Sequence, residues 1–143
     1  MKVKNIMSAN VVSVSPEENI AVAARLLSRH NLGALPVCTK EGKLRGLLTD
    51  RDIVLRCVAA EDEATGTKVS EIMTRRLISI SPEADIHEAT ELMAREKIRR
   101  LPVEENGRLV GMVSLGDVAK VPDFSMEVGQ ALCEISWNVH RKK

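Results

Sequence analysis

The feature that most constrains the fold of this chain is an internal repeat. Residues 3–37 align with residues 69–103 at a constant offset of 66, and 14 of the 35 aligned positions are identical. The offset then becomes 65, and four further residues of the first copy, Gly42, Leu44, Gly46 and Asp52, match Gly107, Leu109, Gly111 and Asp117. A register held across so many turn-forming residues indicates a duplicated structural unit. Because each copy is too short to build a comfortable core alone, we expect the two to pack together about a pseudo-two-fold axis.

Both copies predict the same order of elements, β-α-β-β-α, which is an α+β fold. The first copy predicts a β-rich run, a helix with Asn19 as its N-cap, two strands and a second helix, at Val11–Val14, Ile20–His30, Leu35–Cys38, Leu44–Leu48 and Asp50–Ala60. The second copy predicts Leu77–Ile80, Ile86–Glu96, Leu101–Val103, Leu109–Val113 and Leu115–Lys120, with Asp85 and Glu88 as a capping box. Apolar spacing over Ser125–Val139 predicts a C-terminal helix. We therefore divide the chain into residues 1–66, 67–120 and 121–143.

Composition excludes several classes of protein. The 21 basic and 20 acidic residues nearly balance, which argues against a nucleic-acid or membrane surface. Phe124 and Trp137 are the only Phe, Tyr or Trp residues, so residues 1–120 must have an aliphatic core and offer none of these rings for a base to stack on. No apolar stretch is long enough to span a bilayer and no secretory signal is visible, so we expect a cytoplasmic protein. The three cysteines lack paired spacing, which predicts free thiols, with Cys38 buried in a strand.

Four short motifs occur in the same order in both copies. They are Ile-Met before the first β-rich run, Ser-Pro-Glu before the first helix, Leu-Pro-Val at the middle strand, and Gly-x-x-[Ser/Thr]-x-x-Asp before the last helix. The last motif runs from Gly46 to Asp52 in the first copy and from Gly111 to Asp117 in the second. Together they resemble a tandem pair of CBS domains, the regulatory arrangement called a Bateman module. The length of the chain is similar to that of small stand-alone bacterial CBS proteins, including the hypoxic response protein type.

The resemblance implies a non-enzymatic regulatory module that binds an adenosine-containing ligand in clefts between the two motifs. The ligands of such modules include AMP, ADP, ATP and S-adenosylmethionine, and no cofactor is required. The resemblance implies that Asp52 and Asp117 accept hydrogen bonds from ribose hydroxyls, and that Thr49 and Ser114 bond the ribose or a phosphate. It further implies ligand contacts from residues of the first β-rich runs and the middle strands, namely Ser13, Ser79, Ala34, Arg99 and Arg100. It also implies a homodimer that signals to a separate, unknown effector protein.

Other interpretations of these residues stay open. A [Ser/Thr]-x-x-Asp pattern before a helix is also a capping box, with or without a ligand. Arg99 and Arg100 fit either a phosphate contact or an exposed strand edge. The chain as a whole also fits a ligand-independent interaction or dimerisation module, with clefts filled by side chains. The sequence has no catalytic triad, phosphate-binding loop or zinc-ligand spacing, so we predict neither an enzyme nor a metal protein.

Overall fold

The computed structural model describes residues 1–141, with side chains described through Trp137. The described part of the first copy contains helix α1 (Ile20–His30), strands β1 (Ala34–Cys38) and β2 (Leu44–Thr49), and helix α2 (Asp50–Ile53). The remainder contains α3 (Val69–Ile72), α4 (Ile86–Glu96), β3 (Arg100–Glu105), β4 (Arg108–Ser114), α5 (Leu115–Ala119) and α6 (Ser125–Arg141). Strands β1 and β2 form one two-stranded sheet, and β3 and β4 form another. The α+β fold with a C-terminal helix is confirmed.

Helices α1 and α4 begin and end where the sequence predicts. The Asn19 side chain accepts a hydrogen bond from the Val22 N–H at 2.9 Å. Asp85 caps α4 through the His87 N–H at 2.9 Å, so the cap uses the second helical residue and not the predicted capping box with Glu88. Both helices end at a residue in the left-handed conformation, which closes the last turn. Local capping and a clear apolar period are sufficient to fix these two elements.

The β-rich run that precedes each long helix contracts to a single bridge residue, which corrects the prediction of a strand. The two runs are Val11–Val14 and Leu77–Ile80. In the first, the Val14 N–H donates to the Pro36 carbonyl at 3.0 Å, and the Cys38 N–H donates to the Val14 carbonyl at 2.9 Å. The next parallel hydrogen bond would need an N–H on Pro36, which proline lacks. Ile80 bonds the Pro102 carbonyl at 3.1 Å and is limited in the same way.

The helix predicted at Asp50–Ala60 has two parts. Helix α2 covers its first turn, and a wider π-helical turn covers Val54–Val58, closed by the Ala59 N–H on the Val54 carbonyl at 2.8 Å. Asp52 and Cys57, five residues apart, are both buried on the inner side of this segment. The wider turn therefore keeps these two side chains facing inward.

The chain forms two compact units. Each unit combines the main part of one copy with the leading segment, the first residues, of the other copy. Unit 1 consists of Met1–Val11, Ile78–Asn106 and Val110–Lys143; unit 2 consists of Val12–Leu77 and Gly107–Leu109. In unit 1, Val3 is fully buried and its N–H donates to the Ala84 carbonyl at 2.8 Å. In unit 2, Val69 is fully buried and bonds the Glu18 carbonyl at 2.8 Å. The sequence repeats and the compact units thus divide the chain at different places.

Each unit has an aliphatic core, as the composition predicts. The core of unit 2 is made of Val14, Ile20, Ala23, Leu27, Leu35, Val37, Leu48, Cys57, Val69, Ile72 and Met73. In unit 1, helix α6 adds Val128, Ala131 and Ile135 to the core formed by α4, β3, β4 and α5. The predicted apolar role of Val139 lies outside the described side chains. No helix among the described residues is long and apolar enough to cross a bilayer.

Candidate functional site

The two [Ser/Thr]-x-x-Asp motifs form matching capping boxes. The Thr49 hydroxyl accepts from the Asp52 N–H at 3.0 Å, and the Asp52 carboxylate accepts from the Thr49 N–H at 3.0 Å. In unit 1, Ser114 accepts from the Asp117 N–H at 3.1 Å and its own N–H donates to Asp117 at 2.8 Å. The capping interpretation of the motif is therefore confirmed in both copies. Because each carboxylate has two oxygens with about four lone-pair sites, capping leaves acceptor capacity that could serve a ligand.

In unit 2, the remaining acceptor capacity of Asp52 is used within the protein. The Arg56 guanidinium lies 3.3 Å from Asp52 Oδ1, and the Thr74 hydroxyl donates to the same carboxylate at 3.2 Å. Arg56 is itself held by the Ile72 carbonyl at 2.9 Å. The Asp52 side chain is only 9% exposed. This carboxylate is therefore buried, paired with a cation and hydrogen-bonded on both oxygens.

In unit 1, Asp117 is half-buried and has far fewer partners. Its Oδ2 accepts from the Ser114 N–H, and no described residue donates to its Oδ1. The cation is missing because the residue at the offset of 65 from Arg56 is Val121. Valine has no donor, so Asp117 keeps an oxygen available for another group.

Asp117 opens into a groove within unit 1, which we call the Asp117 groove. Its volume is about 500 Å³, and it is lined by Met1, Asn5, Ile6, Ser8, Asp117, Lys120, Val121 and Pro122. This volume lies in the range of pockets that hold small molecules. The lining combines a carboxylate, an ammonium, an amide and a hydroxyl with aliphatic walls. A ligand with hydroxyl donors, an apolar ring and a negative group would match these side chains.

The groove at the corresponding place in unit 2 has a different lining. It is about 620 Å³ and is lined by Arg56, Asp62, Gly66, Thr67, Glu71 and Ile72. Ile72 and Ile6 occupy the same repeat position, as do Glu71 and Asn5. Arg56 forms part of this groove and holds Asp52 behind it. Unit 2 therefore has a guanidinium where unit 1 has Val121, and Asp117 lines its groove whereas Asp52 is not among the residues that line the groove of unit 2.

Two of the other predicted site residues, Ala34 and Arg99, lie next to these motifs through their backbones. Ala34 pairs directly with Thr49 across β1 and β2, and the Arg99 carbonyl accepts from the Leu115 N–H at 2.8 Å, next to Ser114. The Arg99 side chain is exposed, and so is that of Arg100, at the start of β3. The structure thus brings the middle strands of both copies to the beginning of the last helices.

The two predicted serines are not part of these grooves. Ser13 is exposed and hydrogen-bonds the thiol of Cys38. Burial outweighs this hydrogen bond and raises the pKa of the Cys38 thiol. Ser79 lies in a separate depression of about 370 Å³ in unit 1, together with Glu88, Glu91 and Arg95.

The residues that make the two copies unequal are not among the predicted site residues. Arg56 lies four residues after Asp52, a spacing that favours an ion pair on one helical face and is visible in the sequence. Comparing that position with Val121 would have predicted the asymmetry. Thr74 and its counterpart Ser8 could not be found in this way, because they come from the exchanged leading segments.

Within the described part of the chain, no three His, Cys, Asp or Glu side chains lie close enough to hold an ion together. All three thiols, Cys38, Cys57 and Cys133, are free.

Comparison with known proteins gives matches along nearly the whole chain. A family profile described as the CBS domain matches residues 3–58 and 69–123. The CBS domain-containing protein YhcV of Bacillus subtilis is 44% identical over 139 residues, which cover 96% of this chain and 98% of that protein. Hypoxic response protein 1 of Mycobacterium tuberculosis is 33% identical over 132 residues, covering 91% of this chain and 92% of that protein.

Two solved structures resemble the fold. The crystal structure of hypoxic response protein I with two coordinated zinc ions has a TM-score of 0.79 and 34% identity, covering 85% of this chain and 98% of that one. The CBS domain pair of protein MJ0100, in complex with 5-methylthioadenosine and S-adenosyl-L-methionine, has a TM-score of 0.75 and 29% identity. The match covers 85% of this chain and 98% of the MJ0100 pair.

Proposed function

Because this chain belongs to the CBS-domain family and contains two CBS repeats, which together form a regulatory module, we propose that it is a non-enzymatic sensor of an adenosine-containing ligand. The candidates are AMP, ADP, ATP and S-adenosylmethionine. We place the binding site at Asp117, in unit 1. The observation that carries this proposal is that Asp117 lines a groove of about 500 Å³ and that no described residue donates to its Oδ1.

The chemistry of the Asp117 groove supports a nucleoside. A carboxylate oxygen without a donor accepts charge-assisted hydrogen bonds from the two hydroxyls of a ribose. Ser8 lines the same groove and adds a hydroxyl to it, and the Ser114 hydroxyl accepts from the Asp117 N–H. Ile6 and Val121 provide aliphatic walls against which a purine ring can pack. MJ0100, a related CBS pair, binds two adenosine compounds, so the class of ligand suits this architecture.

Cations near this site favour a ligand that carries a negative group. Lys120 lines the groove, and Arg99 and Arg100, at the start of β3, lie beside the N-terminal end of α5. Arginine can bind a phosphate through two parallel hydrogen bonds. We therefore rank the nucleoside phosphates above S-adenosylmethionine, whose sulfonium and amino groups are positive.

The module would regulate a separate partner protein. A ligand shifts the balance between two conformations by its difference in affinity for them. We propose that the protein acts as a homodimer and that an effector protein, not yet identified, responds to the bound state. Catalysis is not part of the proposal, because the groove contains no paired nucleophile and base.

A thermal-shift panel of AMP, ADP, ATP, NADH and S-adenosylmethionine tests this function. A ligand at 100 times its dissociation constant should add about 2.7 kcal/mol to the free energy of unfolding. Asp117→Asn retains the cap, since an amide oxygen still accepts from the Ser114 N–H, but it should reduce the shift. Asp52→Asn is the matched control and should leave the shift unchanged. A shift that survives Asp117→Asn would place the site elsewhere.

The second candidate function is a ligand-independent interaction module. The internal pairing of Asp52 with Arg56 and Thr74 favours it, because this arrangement already satisfies a carboxylate that the family motif offers to a ligand. If the whole chain works in this way, no compound of the panel should raise the melting temperature. The same experiment thus separates the two functions.

A further inference from the structure

The groove of unit 2, which we call the Arg56 groove, has no role in the nucleotide site proposed above. Its volume of about 620 Å³ lies in the range of pockets that hold small molecules. Among its lining residues, Thr67 and Ile72 are buried. The three charged ones, Arg56, Asp62 and Glu71, are exposed and therefore accessible to a ligand.

The guanidinium of Arg56 is fixed through one of its three nitrogens. Nη1 donates to the Ile72 carbonyl at 2.9 Å and lies 3.3 Å from Asp52 Oδ1. A guanidinium has five N–H donors, and no described residue accepts a hydrogen bond from Nε or Nη2 of Arg56. These two adjacent nitrogens form the planar fork that binds a carboxylate through two parallel hydrogen bonds. The groove thus contains a positioned group suited to a carboxylate.

Two carboxylates of the same groove have acceptor capacity that the protein does not use. The Asp62 side chain makes no hydrogen bond or ion pair with any described residue. Glu71 Oε2 accepts from the Lys68 N–H at 2.9 Å, and no described residue donates to its Oε1. The Lys68 ammonium is paired with Glu17 at 2.9 Å. Both groove acids therefore keep oxygens that a cationic ligand could contact.

The repeat does not require these charges. At the same repeat positions, unit 1 has Val121 in place of Arg56 and Asn5 in place of Glu71. The Asn5 amide oxygen accepts from the Lys2 N–H at 3.0 Å, so an uncharged side chain makes the same cap as Glu71. The charges at these two positions are thus particular to unit 2, which indicates a role other than stabilising the repeated fold.

We propose that the Arg56 groove binds a free basic α-amino acid, of which L-lysine is the simplest example. Such a molecule carries one carboxylate and two cationic groups, and the groove offers one guanidinium and two carboxylates. Arg56 binds the carboxylate of the ligand, and Asp62 and Glu71 bind its two cations through charge-assisted hydrogen bonds. A neutral amino acid leaves one groove acid unpaired, and an acidic one brings like charges together.

The inference goes beyond the nucleotide sensor and does not depend on it. The Arg56 groove belongs to unit 2, and Asp117 belongs to unit 1. A chain with both sites would respond to two chemically different ligands.

Calorimetric titration of the full chain with compounds that each lack one group of L-lysine tests the proposal. L-norleucine lacks the side-chain ammonium, and cadaverine lacks the carboxylate. Each should bind at least about tenfold more weakly than L-lysine, and so should L-glutamate. Absence of L-lysine binding, or equal binding of L-lysine with either norleucine or cadaverine, would overturn the proposal.

S-adenosylmethionine is a necessary comparison, because it carries one carboxylate and two cationic groups attached to a nucleoside. We expect the free basic amino acids to bind in the Arg56 groove without any nucleoside. Binding of S-adenosylmethionine that requires Glu71, with no binding of L-lysine, would make the groove a nucleoside site and contradict the proposal.

Glu71→Gln is the most informative variant, since Asn5 shows that an amide supports the cap. It should weaken L-lysine binding at least about tenfold without changing the circular dichroism spectrum, and Asp62→Asn should do the same. Glu63→Gln, in the same segment but outside the groove lining, is the matched control and should leave binding unchanged. L-lysine binding that survives both groove variants would place the amino acid elsewhere and refute the assignment.

The two sites can be tested separately. L-lysine binding should persist in Asp117→Asn, and the nucleotide-induced thermal shift should persist in Glu71→Gln. Loss of one response with the other retained therefore distinguishes failure of the amino-acid site from failure of the proposed nucleotide sensor.

Discussion

Asp52 and Asp117 occupy the same position of the same motif but differ in their neighbours. Asp52 is paired with Arg56 at 3.3 Å, whereas the equivalent neighbour of Asp117 is Val121. A buried carboxylate paired with a cation and a hydroxyl loses those contacts if it turns to a ligand. Asp117 loses nothing of this kind, because its Oδ1 has no partner among the described residues. Arg56 and Thr74 thus occupy Asp52, whereas the described residues leave Asp117 available.

Exchanging these two neighbours should exchange the properties of the two sites. Arg56→Val frees Asp52 and should lower the free energy of unfolding by about 1–3 kcal/mol, since a buried carboxylate loses its cation and Arg56 is itself half exposed. Val121→Arg places a guanidinium beside Asp117 and should weaken ligand binding at least tenfold. Urea denaturation measures the first effect and ligand titration the second. Unchanged binding in Val121→Arg would show that Asp117 does not contact the ligand.

The reactivity of each thiol also depends on the surroundings of a single residue. Burial raises the pKa of the Cys38 thiol, so less of the reactive thiolate is present at a given pH. Cys57 is 1% exposed, whereas Cys133 on α6 is exposed. At pH 8 we expect one thiol per chain to react rapidly with Ellman's reagent and two to react only on unfolding. Cys133→Ser should abolish the rapid phase; a rapid phase that persists would contradict the burial of Cys38 and Cys57.

At the scale of elements, the glycine of the last motif allows a close approach of two chain segments. A Cβ on Gly46 would lie 2.6 Å from the Thr74 carbonyl oxygen, and one on Gly111 would lie 2.8 Å from that of Ser8. These carbonyls belong to the leading segments, which bridge to β2 and β4. Glycine is therefore needed because a backbone passes against the strand, and not because of a special backbone angle.

Alanine at either glycine should displace a leading segment. We expect Gly46→Ala and Gly111→Ala each to lower the free energy of unfolding by about 1–3 kcal/mol, because a fixed backbone atom cannot move aside freely. Gly129→Ala in α6 meets nothing within 4 Å and serves as the control. It should stabilise the chain by about 0.5–1 kcal/mol through helix propensity. Urea denaturation of all three variants measures these effects, and equal stabilities would contradict the close approach.

Elements governed by local chemistry could be predicted from the sequence, and those governed by distant partners could not. Helices α1 and α4 agree with the prediction at both ends, because capping residues and apolar period lie within the segment itself. The predicted strand at Val11–Val14 fails because its extension depends on Pro36, more than twenty residues away. Likewise, the motif identifies Asp52 but not its hydrogen bond with Thr74. Thr74 belongs to the second copy in sequence but to unit 2 in the structure.

At the scale of the whole molecule, the bounds of the two units predict which fragments of the chain can fold, because each unit includes the leading segment of the other copy. The core cluster of unit 2 lies entirely within residues 12–77, and it includes Val69, Ile72 and Met73 from the segment that precedes the second copy. A fragment cut at the repeat boundary, residues 1–66, lacks these three residues.

Two fragments of equal length therefore provide a matched comparison. We expect residues 12–77 to show helical circular dichroism and a cooperative urea transition. Residues 1–66 should be largely unfolded, because they lose three buried side chains of the core and gain a segment that belongs to the other unit. Equal folding of the two fragments would contradict the division of the chain into these units.

Calorimetric titration of the intact chain with the best nucleotide of the panel tests the central claim most directly. The account predicts one ligand per chain, binding lost or at least tenfold weaker in Asp117→Asn, and unchanged binding in Asp52→Asn. Two equivalent ligands per chain, or binding that depends on Asp52 and not on Asp117, would contradict it.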